Sequence, residues 1–241
     1  MTSLYNVQLA VTIGVVLLAY IVIVPLIGGF KAWVASVLGD DTPEEEGFLT
    51  LNPMAHISFF WITILVISQL LYSYMPFGFG QQIVINESNF GGKRGTLKFL
   101  CALFSNSFMA FIVAIGAFSG LLVLHGIKIA LLLHQQPSIK NLYTLFPESS
   151  TFSLVVTFIL LTGFVMASFT AALTFILNIF QILQPYLLEK SSDRGSGTEF
   201  LIFIIPILIL YFCIDPFYKI VIRSVIELSY RIVYCFGLLW H

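Results

Sequence analysis

Charged residues are scarce in this chain, and long stretches lack them altogether. Lys, Arg, Asp and Glu make up 10% of the 241 residues, whereas 59% are hydrophobic. Soluble domains carry about 25% charged residues. Residues 1–30, 99–127 and 149–188 contain no Lys, Arg, Asp or Glu. Because a spanning helix needs about 20 apolar residues, the sequence excludes a soluble domain and predicts an integral membrane protein.

Basic residues and cysteine motifs are also missing. The formal net charge is −1, which leaves no basic patch and excludes nucleic acid as a partner. No Lys or Arg precedes Lys31, so the N-terminus lacks the basic region of a signal peptide and is expected to be a retained first helix. The three cysteines have no CxxC spacing, which argues against a zinc knuckle or a disulfide framework.

The apolar segments predict an all-α polytopic membrane protein of five to six transmembrane helices. We expect one membrane domain, 1–241, with its core at about 5–190. An additional transmembrane helix is predicted at 200–218, and an amphipathic helix at 219–241. Within the core, spans are expected at about 4–37, 57–75, 97–124 and 152–188.

Two segments depart from the apolar pattern. The stretch at 76–95 is rich in Gly and polar residues and holds a short β-like run, so a β-like loop is expected there, buried in protein or lining a wet cavity. In 219–241 charged residues recur at every fourth position: Lys219, Arg223, Glu227 and Arg231. On a helix they form one polar stripe. The helix either lies in the membrane interface or binds a partner with the stripe outward.

Two loops carry a resemblance to a known family. The first reads GDDTPEEEGFLTLNPMAHI (39–57), in which Gly-Asp precedes Leu-Thr-Leu-Asn-Pro. The second has Phe77, Gly78, Asn86 and Phe90 at matching spacing, and Asn106 follows in the next helix. This combination resembles the site-2 proteases, the small bacterial intramembrane zinc metalloproteases. The resemblance implies their helical core and a location in the bacterial cytoplasmic membrane.

The chemistry of that family is missing from the sequence. Its HExxH motif, with two His ligands and a Glu base on one helix turn, falls by spacing on 27–31, where Ile27, Gly28 and Lys31 stand. Its later Asp ligand falls on Tyr186, eight residues after Asn178. An ammonium has no lone pair for a metal and repels a dication. We therefore expect a degenerate member without zinc or another cofactor and without catalytic residues.

Several of these residues have a functional and a structural interpretation. Lys31 either pairs with an acidic group in the vacated cleft or snorkels to the membrane edge. Gly28 and its neighbour Gly29 either admit a second helix or relax the first one. Asn52 and Pro53 either orient a bound segment, as the resemblance implies, or start a helix. His56, Asn86 and Asn106 are expected to be hydrogen-bonding residues near a partner-binding cleft.

The first function hypothesis is a pseudoprotease that binds transmembrane helices, or a scaffold subunit of a membrane complex. Its candidate partner-binding residues are Asn52, Pro53, His56, Phe77, Gly78, Asn86, Phe90 and Asn106. The expected partners are the lipid bilayer and a transmembrane helix of another protein. One alternative is an active zinc protease with displaced ligands such as His56 and Glu189. The other is a transporter or channel component using Asp215 and Lys31.

Overall fold

A computed structural model describes residues 2–72, 80–126, 151–191 and 219–235. Within these ranges every regular element is helical. The helices are α1 (Thr2–Leu38), α2 (Thr42–Glu45), α3 (Pro53–His56), α4 (Phe59–Tyr72), α5 (Gly95–His125), α6 (Thr151–Ser191) and α7 (219–235), with a 3₁₀ turn at Glu87–Asn89. The predicted helix at 200–218 lies outside the described residues.

Three of these helices are long and apolar enough to cross a membrane: Leu9–Leu38 in α1, Gly95–His125, and Val155–Leu183 in α6. The predicted span at 57–75 contains α4, which has 14 residues and is about 21 Å long at 1.5 Å per residue. Residues 73–75 of that span lie outside the described residues. The described residues thus form a membrane protein with three such helices, and the predicted five to six are not confirmed.

The core lies where α1, α5 and α6 pack together. Small residues one turn apart, Ala110 and Ala114 on α5 and Ala167 and Ala171 on α6, are buried there. Such residues let helix backbones approach closely, which in a bilayer replaces the missing hydrophobic drive for helix association. Large side chains fill the rest of the core, and the rings of Phe118 and Phe164 have centroids 4.9 Å apart.

The predicted β-like loop contains no strand in its described part, residues 80–90. It makes one isolated antiparallel bridge, between Ile57 and Gly80. This correction has a physical reason: beyond Gly80 the segment has no second strand to pair with in the described part of the chain. It is instead held to α1 and the first loop by side chains.

Candidate functional site

The helix turn at 27–31 of α1 is covered by the loop that follows it. A Cβ at position 28 would overlap Nδ1 of His56, and one at position 29 would lie 2.9 Å from the Thr50 carbonyl oxygen. Only glycines permit so close an approach. The Gly pair therefore admits the close approach of Thr50 in the loop and of His56 in the short helix α3. Ile27, beside the pair, belongs to the hydrophobic core.

His56 fills the space that a side chain at position 28 would need. The imidazole is 1% exposed, and its Nε2 lies 2.7 Å from the carbonyl oxygen of Thr50. Because a carbonyl only accepts, Nε2 carries the proton and donates it. The other nitrogen, Nδ1, abuts Gly28. The predicted hydrogen-bonding role is confirmed, and neither ring nitrogen faces open space in which a metal ion would fit.

Lys31 is buried instead of snorkelling to the membrane edge. It is 8% exposed, and its Nζ donates to the carbonyl oxygen of Ile83 at 3.1 Å. The acceptor is backbone, so the predicted pairing with an acidic group is absent among the described residues. The side chain of Ile83 packs with Ala32 and Phe48. The lysine thus ties the second loop to α1 across the turn at 27–31.

Asp40, the acidic residue of the first loop's Gly-Asp pair, joins the two loops. Its Oδ2 accepts from the Asn86 N–H at 2.8 Å. Its Oδ1 accepts from Asn89 Nδ2 at 2.7 Å and from the Thr42 hydroxyl at 2.6 Å. Burial of the carboxylate would raise its pKa. Hydrogen bonds from Thr42, Asn89 and Asn86 outweigh burial and hold the pKa of Asp40 below its ordinary value.

The segment 81–86 runs between these anchors, and its main chain is unpaired at 82 and 84. Ile83 and Ile85 are buried, whereas Gln82 and Val84 are exposed, the alternation of an extended strand. Gln81 donates its N–H to the His56 carbonyl oxygen at 2.6 Å, on the same edge on which Ile83 accepts from Lys31. The main-chain groups of Gln82 and Val84 have no hydrogen-bond partner among the described residues.

The remaining motif residues of the loops stabilise local structure. Asn52 caps α3 by accepting from the Met54 N–H at 3.1 Å, with Pro53 in the first turn, so the helix-start interpretation is confirmed. Asn86 caps the 3₁₀ turn in the same way, accepting from Ser88. Phe90 is buried against Phe99 of α5. A partner-binding role for Asn52, Pro53, Asn86 and Phe90 stays a prediction.

A polar network links α5 to α6 inside the apolar core. Asn178 Nδ2 donates to Asn106 Oδ1 and to the Leu103 carbonyl oxygen, both at 2.9 Å. Ser107 Oγ lies 2.8 Å from Thr174 Oγ1. The predicted hydrogen-bonding role of Asn106 is thereby confirmed. Sequence reasoning missed Ser107 and Thr174, although polar side chains in an uncharged run are a signal for such pairing.

Five predicted positions have no described side chain. Phe77, Gly78 and Asp215 lie outside the described residues, and only the backbone of Tyr186 and Glu189, in α6, is described. Among the residues that are described, no group of three or more His, Cys, Asp or Glu is placed to hold a metal ion. The site therefore offers exposed, unpaired main-chain groups at 82–84, next to a helix turn (27–31) whose adjoining space is occupied by His56.

Comparisons with family models, with curated proteins and with solved structures found no match to this chain.

Proposed function

We propose that this chain is a non-catalytic relative of the site-2 proteases that binds an extended segment of a membrane protein along the 82–84 edge. In this proposal the chain has the family's five to six spanning helices and lies in a bacterial cytoplasmic membrane. Its partner is a transmembrane helix that unwinds locally, or a neighbouring subunit of a complex. Binding needs no metal and ends without cleavage.

Two contacts between motif residues support the family resemblance on which the proposal draws. Asp40 of the first loop accepts a hydrogen bond from Asn86 of the second. Asn106 and Asn178, singled out from separate helices, are hydrogen-bonded to each other. Residues that the resemblance selects from distant parts of the sequence thus meet in space, as functional or structural partners of one ancestral site would.

The space beside the helix turn at 27–31 is too full for a hydrolytic metal site, which supports a role without catalysis. A hydrolytic water and its metal need room between the motif helix and the substrate. Here His56 occupies the room beside Gly28, and the Lys31 ammonium lies on the same helix turn. The displaced-ligand alternative would use His56, whose two ring nitrogens are directed at Thr50 and Gly28. These contacts favour binding over hydrolysis.

The unpaired edge is the observation that carries the proposal. A strand edge with free N–H and C=O groups is a template for pairing with another chain. Peptides bind to such edges through main-chain hydrogen bonds, and side-chain pockets add selectivity. Gln82 and Val84 each offer one donor and one acceptor. The edge is fixed at both ends, by His56 at Gln81 and by Asp40 at Asn86, so little ordering entropy remains to oppose binding.

A proline at Val84 tests the edge directly. Val84→Pro removes the outward N–H and leaves the buried residues in place, whereas the control Val84→Ala keeps the N–H. With a photo-crosslinking residue replacing Gln82 in native membranes, we expect adducts to a membrane protein in the Ala variant and their loss in the Pro variant. The crosslinked sites should fall on alternate residues of one apolar segment.

Equal crosslinking in both variants would contradict pairing through the main chain. A second measurement addresses catalysis. Elemental analysis of the purified chain is expected to show no stoichiometric zinc, and a chelator should leave the crosslinking unchanged. Stoichiometric zinc together with chelator-sensitive cleavage of the crosslinked partner would refute the proposal in favour of the active protease.

A further inference from the structure

Helix α7 carries two opposite stripes of side chains. Val221, Val225, Ser229 and Val233 are buried and recur at every fourth position. The charged residues Lys219, Arg223, Glu227 and Arg231 are displaced by two positions from this stripe. Two residues correspond to about 200° around a helix. The charged stripe therefore points directly away from the protein core.

The position of α7 follows from its contact with α5. The hydroxyl of Ser229 donates to the carbonyl oxygen of Ile115 at 3.2 Å, and the three valines belong to the main hydrophobic core. Ile115 lies ten residues before His125, or about 15 Å from that end of α5 and about 30 Å from Gly95. The middle of α7 is thus packed against α5, a helix long and apolar enough to cross a membrane.

The charges of the stripe are exposed, and those within 223–231 are unbalanced. Glu227 and Arg231 form an ion pair at 2.7 Å, with side chains 60% and 71% exposed. Arg223 is exposed, and it has no ion pair or hydrogen bond to any residue in the described part of the chain. Within 223–231, two cations, Arg223 and Arg231, therefore face one carboxylate. Ionised side chains that face lipid are costly, so they usually face protein or water.

We propose that the Arg223–Glu227–Arg231 stripe is the docking surface for a transmembrane helix of another protein that carries a carboxylate. A carboxylate on that helix would neutralise Arg223 and complete an alternating row of charges. The proposal goes beyond the 82–84 edge and involves different residues. It favours the partner-binding interpretation of the C-terminal helix over the interfacial one.

Two other occupants fit the observations less well. A second copy of this chain would bring another Arg223 and would double the unbalanced positive charge. A lipid phosphate has the required charge, but headgroups lie at the bilayer surface, whereas α7 packs lengthwise against the apolar helix core through Val221, Val225 and Val233. Charge complementarity and this packing together favour a carboxylate within a membrane-spanning helix.

The test uses synthetic transmembrane helices in neutral phosphatidylcholine vesicles containing the full chain. One peptide has about 20 leucine and alanine residues with a glutamate at the centre, and its twin has leucine there. From fluorescence energy transfer we expect the glutamate peptide to bind about tenfold or more tightly than its twin, because close charge pairs are strongly coupled away from water. Arg223→Gln should abolish this preference. The matched control Lys93→Gln, which removes an exposed cation outside α7, should retain it.

A charge-reversal variant distinguishes loss of the docking surface from misfolding. Arg223→Glu should prefer a peptide with a central lysine, a gain that a misfolded variant would not show. Equal binding of the glutamate and leucine peptides to the wild type would overturn the proposal. So would a preference that appears only with phosphatidylglycerol vesicles, or Arg223-dependent energy transfer between two copies of the chain. Val84→Pro should leave peptide binding unchanged, so this test and that of the 82–84 edge can fail separately.

Discussion

Replacing Asp40 should release the second loop from the first while leaving the helices folded. The carboxylate accepts hydrogen bonds from Asn86 and Asn89 of the second loop. A hydrogen bond to a charged group contributes about 1.5–3 kcal/mol, and both donors belong to exposed residues that water can reach after release. For Asp40→Asn we therefore expect the free energy of opening of the loop to fall by about 2–3 kcal/mol.

Amide hydrogen exchange measures this opening, because the Asn86 N–H is protected by Asp40. A loss of about 2–3 kcal/mol accelerates exchange in the peptide 84–90 by about 30- to 150-fold at neutral pH. The matched control is Asp41→Asn. Asp41 is exposed and its side chain makes no cap hydrogen bond, so exchange should stay at the wild-type rate.

The pH dependence gives a second check with a definite sign. The folded pKa of Asp40 is depressed, so its contribution is complete above the unfolded pKa of about 3.9 and is lost as the pH falls through the folded pKa. The difference between wild type and Asp40→Asn should close on acidification below about pH 4. Equal exchange at neutral pH, or a difference that widens in acid, would refute the assigned role of this carboxylate.

Two further predictions concern packing. Gly28→Ala should lower stability by about 1–3 kcal/mol through overlap with His56, whereas Gly14→Ala, where the added Cβ meets nothing within 4 Å, should be neutral or slightly stabilising. Thermal unfolding in one detergent compares the two variants, and equal effects would contradict the close contact between Gly28 and His56. Asn178→Leu should cost about 1–2 kcal/mol by breaking the α5–α6 network. Ser168→Ala should stabilise, because its buried hydroxyl has no partner in the described part of the chain, and a loss of stability there would contradict that view.

Local sequence patterns predicted the membrane class and much of the helical structure. The uncharged runs predict helices because backbone groups in a bilayer must be satisfied within the segment. The helices of 31 and 41 residues contain the predicted spans at 97–124 and 152–188. Asn52 before Pro53 predicts a helix start, since an amide side chain caps the N–H groups that the first turn leaves free. These features depend on neighbours within a few residues.

Long-range contacts were decided only by the tertiary structure. The resemblance aligned Gly28 with the first turn of the family's zinc motif. Only the structure shows that the space beside Gly28 is occupied by His56, which follows the acidic loop in the sequence. Lys31 near a helix end is typical of snorkelling, but the second loop covers it and supplies a carbonyl acceptor. The partners of Asp40 and the free edge at 82–84 likewise depend on how that loop returns to α1. Hydropathy and capping residues do not determine where the second loop packs on α1, because that position depends on packing and hydrogen bonds between distant segments.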